Sequence, residues 1–204
     1  MKKSNMYLVV GFVTLAFAII LFGIGLNNES GGPRATITGN VIDENTLDLT
    51  ESLQQTRVEI NKENSDFEFE GFAIARVRSH VGNFSDWNAE LILDEDGQIL
   101  GMEGSIDPSS VKTGIQGLDL DLQSDNFFDV EKFPNIGFRT TNIDSKNQKI
   151  SGILSFRDVE KEISFPAKIT EESISANFLL DVSEFSFKYT AIENDVRISF
   201  NLSK

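Results

Sequence analysis

The sequence predicts an all-β domain, an antiparallel barrel of about eight strands with a short helical crossing segment, preceded by one N-terminal transmembrane helix. Three observations carry that reading. Apolar and polar residues alternate with a period of two through most of the chain. Residues 113–130 break the alternation, and residues 6–26 form an uncharged apolar run.

The apolar run, MYLVVGFVTLAFAIILFGIGL, is 21 residues long. A helix needs roughly 20 residues to cross a hydrocarbon core. Lys2 and Lys3 precede the run and Glu29 is the first charge after it, so the positive-inside rule places the N-terminus in the cytoplasm and the rest outside. A cleaved signal peptide is the rival, with Gly23 and Gly25 as a small-x-small cleavage site. A signal core needs only about 7–15 apolar residues, which favours a retained anchor over residues 1–26. Residues 27–36, NNESGGPRAT, read as a linker, because Gly31, Gly32 and Pro33 break helices. The domain then runs over 37–204.

Strand signals fill the domain. Ile150, Gly152, Leu154 and Phe156 alternate with Ser151, Ser155 and Arg157. Ile163, Phe165, Ala167 and Ile169 alternate with Ser164 and Lys168, and Val196, Ile198, Phe200 and Leu202 with Arg197, Ser199 and Asn201. Such runs put one face on a core and the other in water. Turn residues separate them, as at Asp94-Glu95-Asp96-Gly97 and Ser145-Lys146-Asn147-Gln148. In the crossing segment, Leu118, Leu122 and Phe127 or Phe128 form an apolar stripe at helical spacing. Closure into a barrel removes exposed edges. A two-sheet sandwich is the alternative.

Composition excludes several functions. There are no cysteines and one histidine, His80, so thiol chemistry, disulfides and multi-histidine metal sites are ruled out. Beyond residue 26 the chain has 16 basic against 32 acidic residues, a net −16 that repels nucleic acid and anionic headgroups. Phe numbers 17 whereas Tyr and Trp number two and one. An interior built from Phe lacks the hydrogen-bonding tips that sugars or bases exploit. Asp119, Asp121, Asp125 and Asp129 follow no calcium-loop spacing and read as caps and loop solvation.

Three stretches, in order, resemble the YceI-like family of lipocalin-like polyisoprenoid-binding proteins. The first is HVGNF at 80–84, preceded by NSDFEFEGFAI at 64–74. The second, and most distinctive, is LDLDLQSDNFFDVEKFPNIGF at 118–138, with its Phe-Phe-Asp-Val and Lys-Phe-Pro. The third is GILSFRDVEKEISFPAKI at 152–169. Asp121 stands where the family usually has His, and Val182-Ser183-Glu184-Phe185-Ser186 lacks the Arg and Gly of the family's corresponding stretch. Residues 36–57 have no counterpart. The resemblance implies an eight-stranded barrel with a hydrophobic channel for a long isoprenoid tail, in a periplasmic or secreted protein.

On that implication, the inward phenylalanines Phe69, Phe138, Phe156, Phe165, Phe178 and Phe200 are the expected tail contacts, with Phe84 and Phe128 joining them. Phe127 and Phe128 cannot both face the same way on one turn, so one plugs the barrel and the other lines its mouth. His80, following Arg76 and Arg78 at alternate positions, is the expected headgroup contact. The expected function is an extracytoplasmic carrier of a quinone or polyprenyl lipid, tethered to the membrane, without catalytic residues, metal or nucleic-acid partner. A homodimer is left open. The alternative is an interaction module whose barrel is filled by side chains. A lipid-processing enzyme is weakest, for want of a paired acid and base.

Overall fold

The computed structural model describes residues 32–40, 55–73, 78–186 and 192–204. The expected anchor at 6–26 and Arg76 lie outside the described residues. Among the described residues, no helix is long and apolar enough to cross a membrane.

The strands are β1 (Thr36–Asn40), β2 (Thr56–Glu59), β3 (Asp66–Ala73), β4 (Ser79–Phe84), β5 (Trp87–Leu93), β6 (Ile99–Ile106) and β7 (Val111–Lys112). After the helix α1 (Gln116–Gln123) come β8 (Ile136–Asp144), β9 (Lys149–Phe156), β10 (Val159–Pro166), β11 (Lys168–Ile169), β12 (Ser173–Asp181) and β13 (Ile192–Ser203). All pairings between these strands are antiparallel.

The expected closed ladder is not what forms. Hydrogen bonds divide the strands into a seven-stranded sheet, β1-β10-β9-β8-β6-β5-β2, and a six-stranded sheet, β11-β12-β13-β3-β4-β7. The physical cause lies at two corners where strands leave one sheet for the other, as they do in orthogonal packings. The long hairpin β4–β5/β6–β7 bends where Pro108, which has no N–H, starts a short 3-10 turn. The Asp107 carboxylate holds that turn by accepting from the Ser109 amide at 2.8 Å. At the other corner Pro166 ends β10, and Ala167 donates to the Gln148 carbonyl before β11 pairs with β12. Counted with each bent strand taken once, the expected eight strands are present between Asp66 and Ser203.

Alternation works as the sequence implies. On β9 and β10 the pairs Gly152↔Ile163 and Leu154↔Lys161 face the interior, whereas Ser151↔Ser164 and Ser155↔Glu160 share the other face, on which Ser164 is nonetheless buried. Phe165, Phe185, Leu91, Ile150, Ile174 and Val111 are fully buried. Each such side chain contributes roughly 1.5–3 kcal/mol through removal from water. The β9–β10 turn, the short turn at Ser183–Phe185 after β12 and the loop following α1 gather at one end of the domain, called here the capped end. The opposite end carries the turns after β5, β8 and β11, and Lys204 bonds there to the carbonyls of Gly97 and Glu172.

The crossing segment is helical, but shorter than its unpaired stretch. No residue of α1 is fully buried, and Leu120 is 62% exposed. Asp119 accepts from both the amide and the hydroxyl of Thr113 and so fastens the first turn. The weight of burial falls after α1, on Phe127 and Phe128.

Candidate functional site

The interior between the sheets is lined by two connected groups of phenylalanines. In the first, Phe165 stacks on Phe178 with centroids 4.3 Å apart. Phe138 lies 5.7 Å from Phe165, and Phe200 meets it edge-on at 6.1 Å. These four come from β8, β10, β12 and β13. In the second group, Phe84, Phe128, Phe156 and Phe185 form a row with successive centroids 5.7, 5.9 and 5.8 Å apart. Phe69 and Phe67 join that row through Phe84 at 5.3 and 6.1 Å. The row crosses the capped end, with one ring from the crossing segment and one from the turn after β12.

All eight phenylalanines expected from the sequence therefore belong to the interior. Phe84, Phe128, Phe156, Phe165, Phe178 and Phe200 are buried, while Phe69 and Phe138 are half-buried. Of the adjacent pair, Phe128 enters the core, whereas Phe127 is buried outside it. The expected division of labour between them thus takes the form of core and flank.

Two glycines decide how Phe69 and Phe138 lie. A methyl group at Gly82 would sit 2.4 Å from the Phe69 ring, and one at Gly152 would sit 2.3 Å from the Phe138 ring. Both rings lie down against a bare backbone on the neighbouring strand instead of standing toward the opposite sheet. Both glycines belong to the stretches HVGNF and GILSF noted in the sequence, but their part in seating a ring was not legible there.

His80 shares the interior face of β4 with Gly82 and Phe84 and pairs with Gly71. It is half-buried. Burial, followed by the charge of Arg78, holds its pKa below the ordinary histidine value. The imidazole is therefore neutral at neutral pH and offers one donor and one acceptor. That suits a carbonyl or hydroxyl partner better than it suits a strong anion.

Arg157 departs from expectation. The alternation places it outside, in the water-facing set with Ser151 and Ser155, yet its side chain is only 5% exposed. It occupies the β9–β10 turn with φ of 57°, and this left-handed backbone swings the side chain off the strand register. There it donates to the Phe127 carbonyl at 2.8 Å and lies 3.6 Å from Asp129. Lys161, on the interior face of β10, meets Glu184 at 2.6 Å. Neither cation, nor Phe67 and Phe185, was singled out from sequence. Phe185 alone had a signal, as the Phe within Val182–Ser186.

A phenylalanine-rich interior between two antiparallel sheets, capped by a crossing segment, defines the class as an all-β protein of two packed antiparallel sheets. The sequence profile of the YceI-like domain matches residues 58–203, and the chain belongs to that family. Solved structures agree on the fold. Burkholderia cenocepacia BcnA superposes with a TM-score of 0.62 at 15% identity, covering 71% of this chain and 99% of its own. A polyisoprenoid binding domain from Saccharophagus degradans, implicated in plant cell wall breakdown, gives 0.51 at 14% identity, covering 74% and 97%. A mutant of a Campylobacter jejuni YCEI protein gives 0.50 at 25% identity, covering 60% and 84%. No curated protein matches the sequence.

Proposed function

We propose that this protein holds an isoprenoid-type lipid, a quinone or a polyprenyl compound, by enclosing its tail in the phenylalanine-lined interior. The observation that carries the reading is the connected set of interior phenylalanines in a YceI-like domain. The Saccharophagus degradans relative of the same fold is described as a polyisoprenoid binding domain. The mechanism is passive. Desolvation of the tail drives entry, and polar groups at the capped end set its direction. The protein acts as a carrier or reservoir and not as an enzyme.

The same proposal places the domain outside the cytoplasm, tethered by residues 6–26. That rests on Lys2 and Lys3 preceding the apolar run. A tether would keep the domain close to its lipid and raise the effective concentration. Protease added to intact cells should remove the domain; full protection would sink the placement.

Native mass spectrometry with lipid extraction, on the full chain purified from membranes, tests the ligand. A stoichiometric prenyl lipid or quinone is expected. A protein that arrives empty and refuses added quinone would overturn the reading. One observation favours a second reading, an interaction module with a filled interior: Phe165 is 2% exposed and already stacked on Phe178.

A further inference from the structure

The two sheets separate at the corner after β10, and residues 33–40 cover the gap that this leaves. β10 belongs to the seven-stranded sheet and β12 to the six-stranded one. β11 pairs with β12 only at Ile174 and Ser175. Further along β12 the chain entering β1 takes its place. Leu179 donates to the Pro33 carbonyl and accepts from the Ala35 amide, each at 2.8 Å, in a parallel bridge. β1 then pairs antiparallel with β10, from Thr36↔Ser164 to Asn40↔Lys161. One short segment thus bonds to both sheets.

The segment lies over the stacked phenylalanines. Phe165 follows Ser164 on β10 and Phe178 precedes Leu179 on β12, so the pair stacked at 4.3 Å spans the same gap from within. Ala35 and Ile37 are half-buried and pack against the core, whereas Arg34, Thr36 and Thr38 are exposed. The hold is light beside that of the walls. β10 pairs with β9 without a break from Val159 to Pro166, and β12 with β13 from Ser173 to Asp181. β1 pairs over Thr36–Asn40 with a bulge after Ile37. Its side-chain ties are exposed: Arg34 Nη2 donates to Asp195 at 2.7 Å and the Thr38 hydroxyl to the Glu162 carboxylate at 2.8 Å. Exposed ties of this kind add little. The segment also lies outside the YceI-like match, which begins at residue 58.

We propose that residues 33–40 are a releasable strap over a side entrance, and that the isoprenoid tail passes between β10 and β12 when the strap lifts. The inference rests on the isoprenoid reading above and adds the route to it. Lifting the strap breaks the two Leu179 bonds and the short β1–β10 ladder, and leaves the main ladders of both sheets intact. Segments with few buried contacts open at a lower free energy than the whole fold. Opening uncovers Phe165 and Phe178 from the side. Entry at the capped end must instead displace the row formed by Phe84, Phe128, Phe156 and Phe185.

Two measurements on the full chain in detergent test the strap. The first is amide exchange in the wild type. Bonds along a strand alternate between its two edges, so the Leu179 amide reports the strap while those of Phe178 and Leu180 report the β12–β13 ladder. Leu179 should exchange at least tenfold faster than either. The second is uptake of geranylgeranyl naphthoquinone, followed by quenching of Trp87 fluorescence. The chain has no cysteine, so Thr36→Cys combined with Ser164→Cys allows a single disulfide, checked by intact mass. Antiparallel partners stand about 4.5–5.5 Å apart at Cα, within disulfide reach. With that bond closed, uptake should be at least tenfold slower than in the same protein after reduction, and Leu179 should exchange no faster than its neighbours. Exchange of Leu179 together with Phe178 and Leu180 in the wild type, or equal uptake by the oxidised and reduced forms, overturns the strap and leaves the isoprenoid reading standing. Refusal of the quinone by the wild type overturns both.

Discussion

Gly152 and Gly82 offer a test of how the interior is shaped, because adding one methyl at each meets different obstacles. At Gly152 the new carbon would lie 2.3 Å from the Phe138 ring and 2.5 Å from the Arg139 carbonyl oxygen. The ring can turn away, but the carbonyl is held by the β8–β9 ladder, where Arg139 pairs with Ile153. At Gly82 the closest atoms, 2.4 and 2.7 Å away, both belong to the Phe69 ring, and the nearest backbone atom is at 3.2 Å. Glycine to alanine in a strand ordinarily stabilises by about 0.5–1 kcal/mol. Overpacking reverses this by about 1–3 kcal/mol. Gly152→Ala should therefore destabilise by about 2–3 kcal/mol, lowering Tm by roughly 4–12 °C for a domain of this size. Gly82→Ala should cost about 1 kcal/mol. Combining Gly82→Ala with Phe69→Leu should recover most of the alanine's cost, whereas Phe138→Leu should leave more than half of the cost of Gly152→Ala in place. Urea unfolding followed by the fluorescence of Trp87, the only tryptophan, measures all of these. If Phe138→Leu rescues Gly152→Ala completely, the backbone approach is not what requires glycine there, and the contrast drawn with Gly82 fails.

Other perturbations read out different parts of the molecule. Phe138→Trp puts a larger ring over Gly152, and native mass spectrometry should show less copurified prenyl lipid per protein than in the wild type. Ser164 is 5% exposed and shares a 2.9 Å hydrogen bond with Ser151, and it donates to the Ile150 carbonyl. Ser164→Ala should cost about 1 kcal/mol in urea unfolding, and adding Ser151→Ala should return part of it. Burial raises the Asp121 pKa above the ordinary carboxylate value. The folded state thus binds its proton more tightly than the unfolded chain, so ionisation destabilises above the folded pKa and the penalty fades as pH falls toward 3.8. Asp121→Asn should stabilise at pH 7 by less than about 1 kcal/mol, since the group keeps part of its solvation, and the gain should vanish in acid melts.

Much of the fold was readable because strand alternation is a local signal. Ile150 through Phe156 and Ile163 through Ile169 take the faces that the period of two assigns them. The two corners were not readable as such. Pro108 and Pro166 are visible, but whether a proline ends a strand or bends it into a second sheet depends on partners far away in sequence. The interior phenylalanines were legible for the same reason as the strands. Arg157 was not, because a period-two reading carries a strand through its last residue. The left-handed backbone at that turn takes the side chain out of the pattern. Lys161 was missed differently: it lies on the apolar face that the pattern predicts, but an isolated lysine there looks like a strand end until Glu184 is brought over it.

Contact among the phenylalanines does not by itself oppose a bound tail, as the relative magnitudes show. Displacing Phe165 from Phe138, Phe178 and Phe200 gives up three ring contacts, each worth about 0.5–1.5 kcal/mol, or about 4.5 kcal/mol at most. Burying a tail regains about 0.8 kcal/mol per CH₂. About six carbons therefore offset the opening of the stack, and the rest must offset the loss of translational and rotational freedom, about 4–15 kcal/mol. A ten-carbon tail recovers about 8 kcal/mol in all and is left close to zero, while a twenty-carbon tail recovers about 16 kcal/mol and has a surplus. Geranylgeraniol should accordingly bind at micromolar concentration, and geraniol should show no saturation in the same titration. The dependence should be steep because the opening cost is met once, by the first carbons, and every later carbon contributes in full. Equal affinity for the two alcohols would mean that the tail lies outside the sheets, and that the stacked phenylalanines are a filled core.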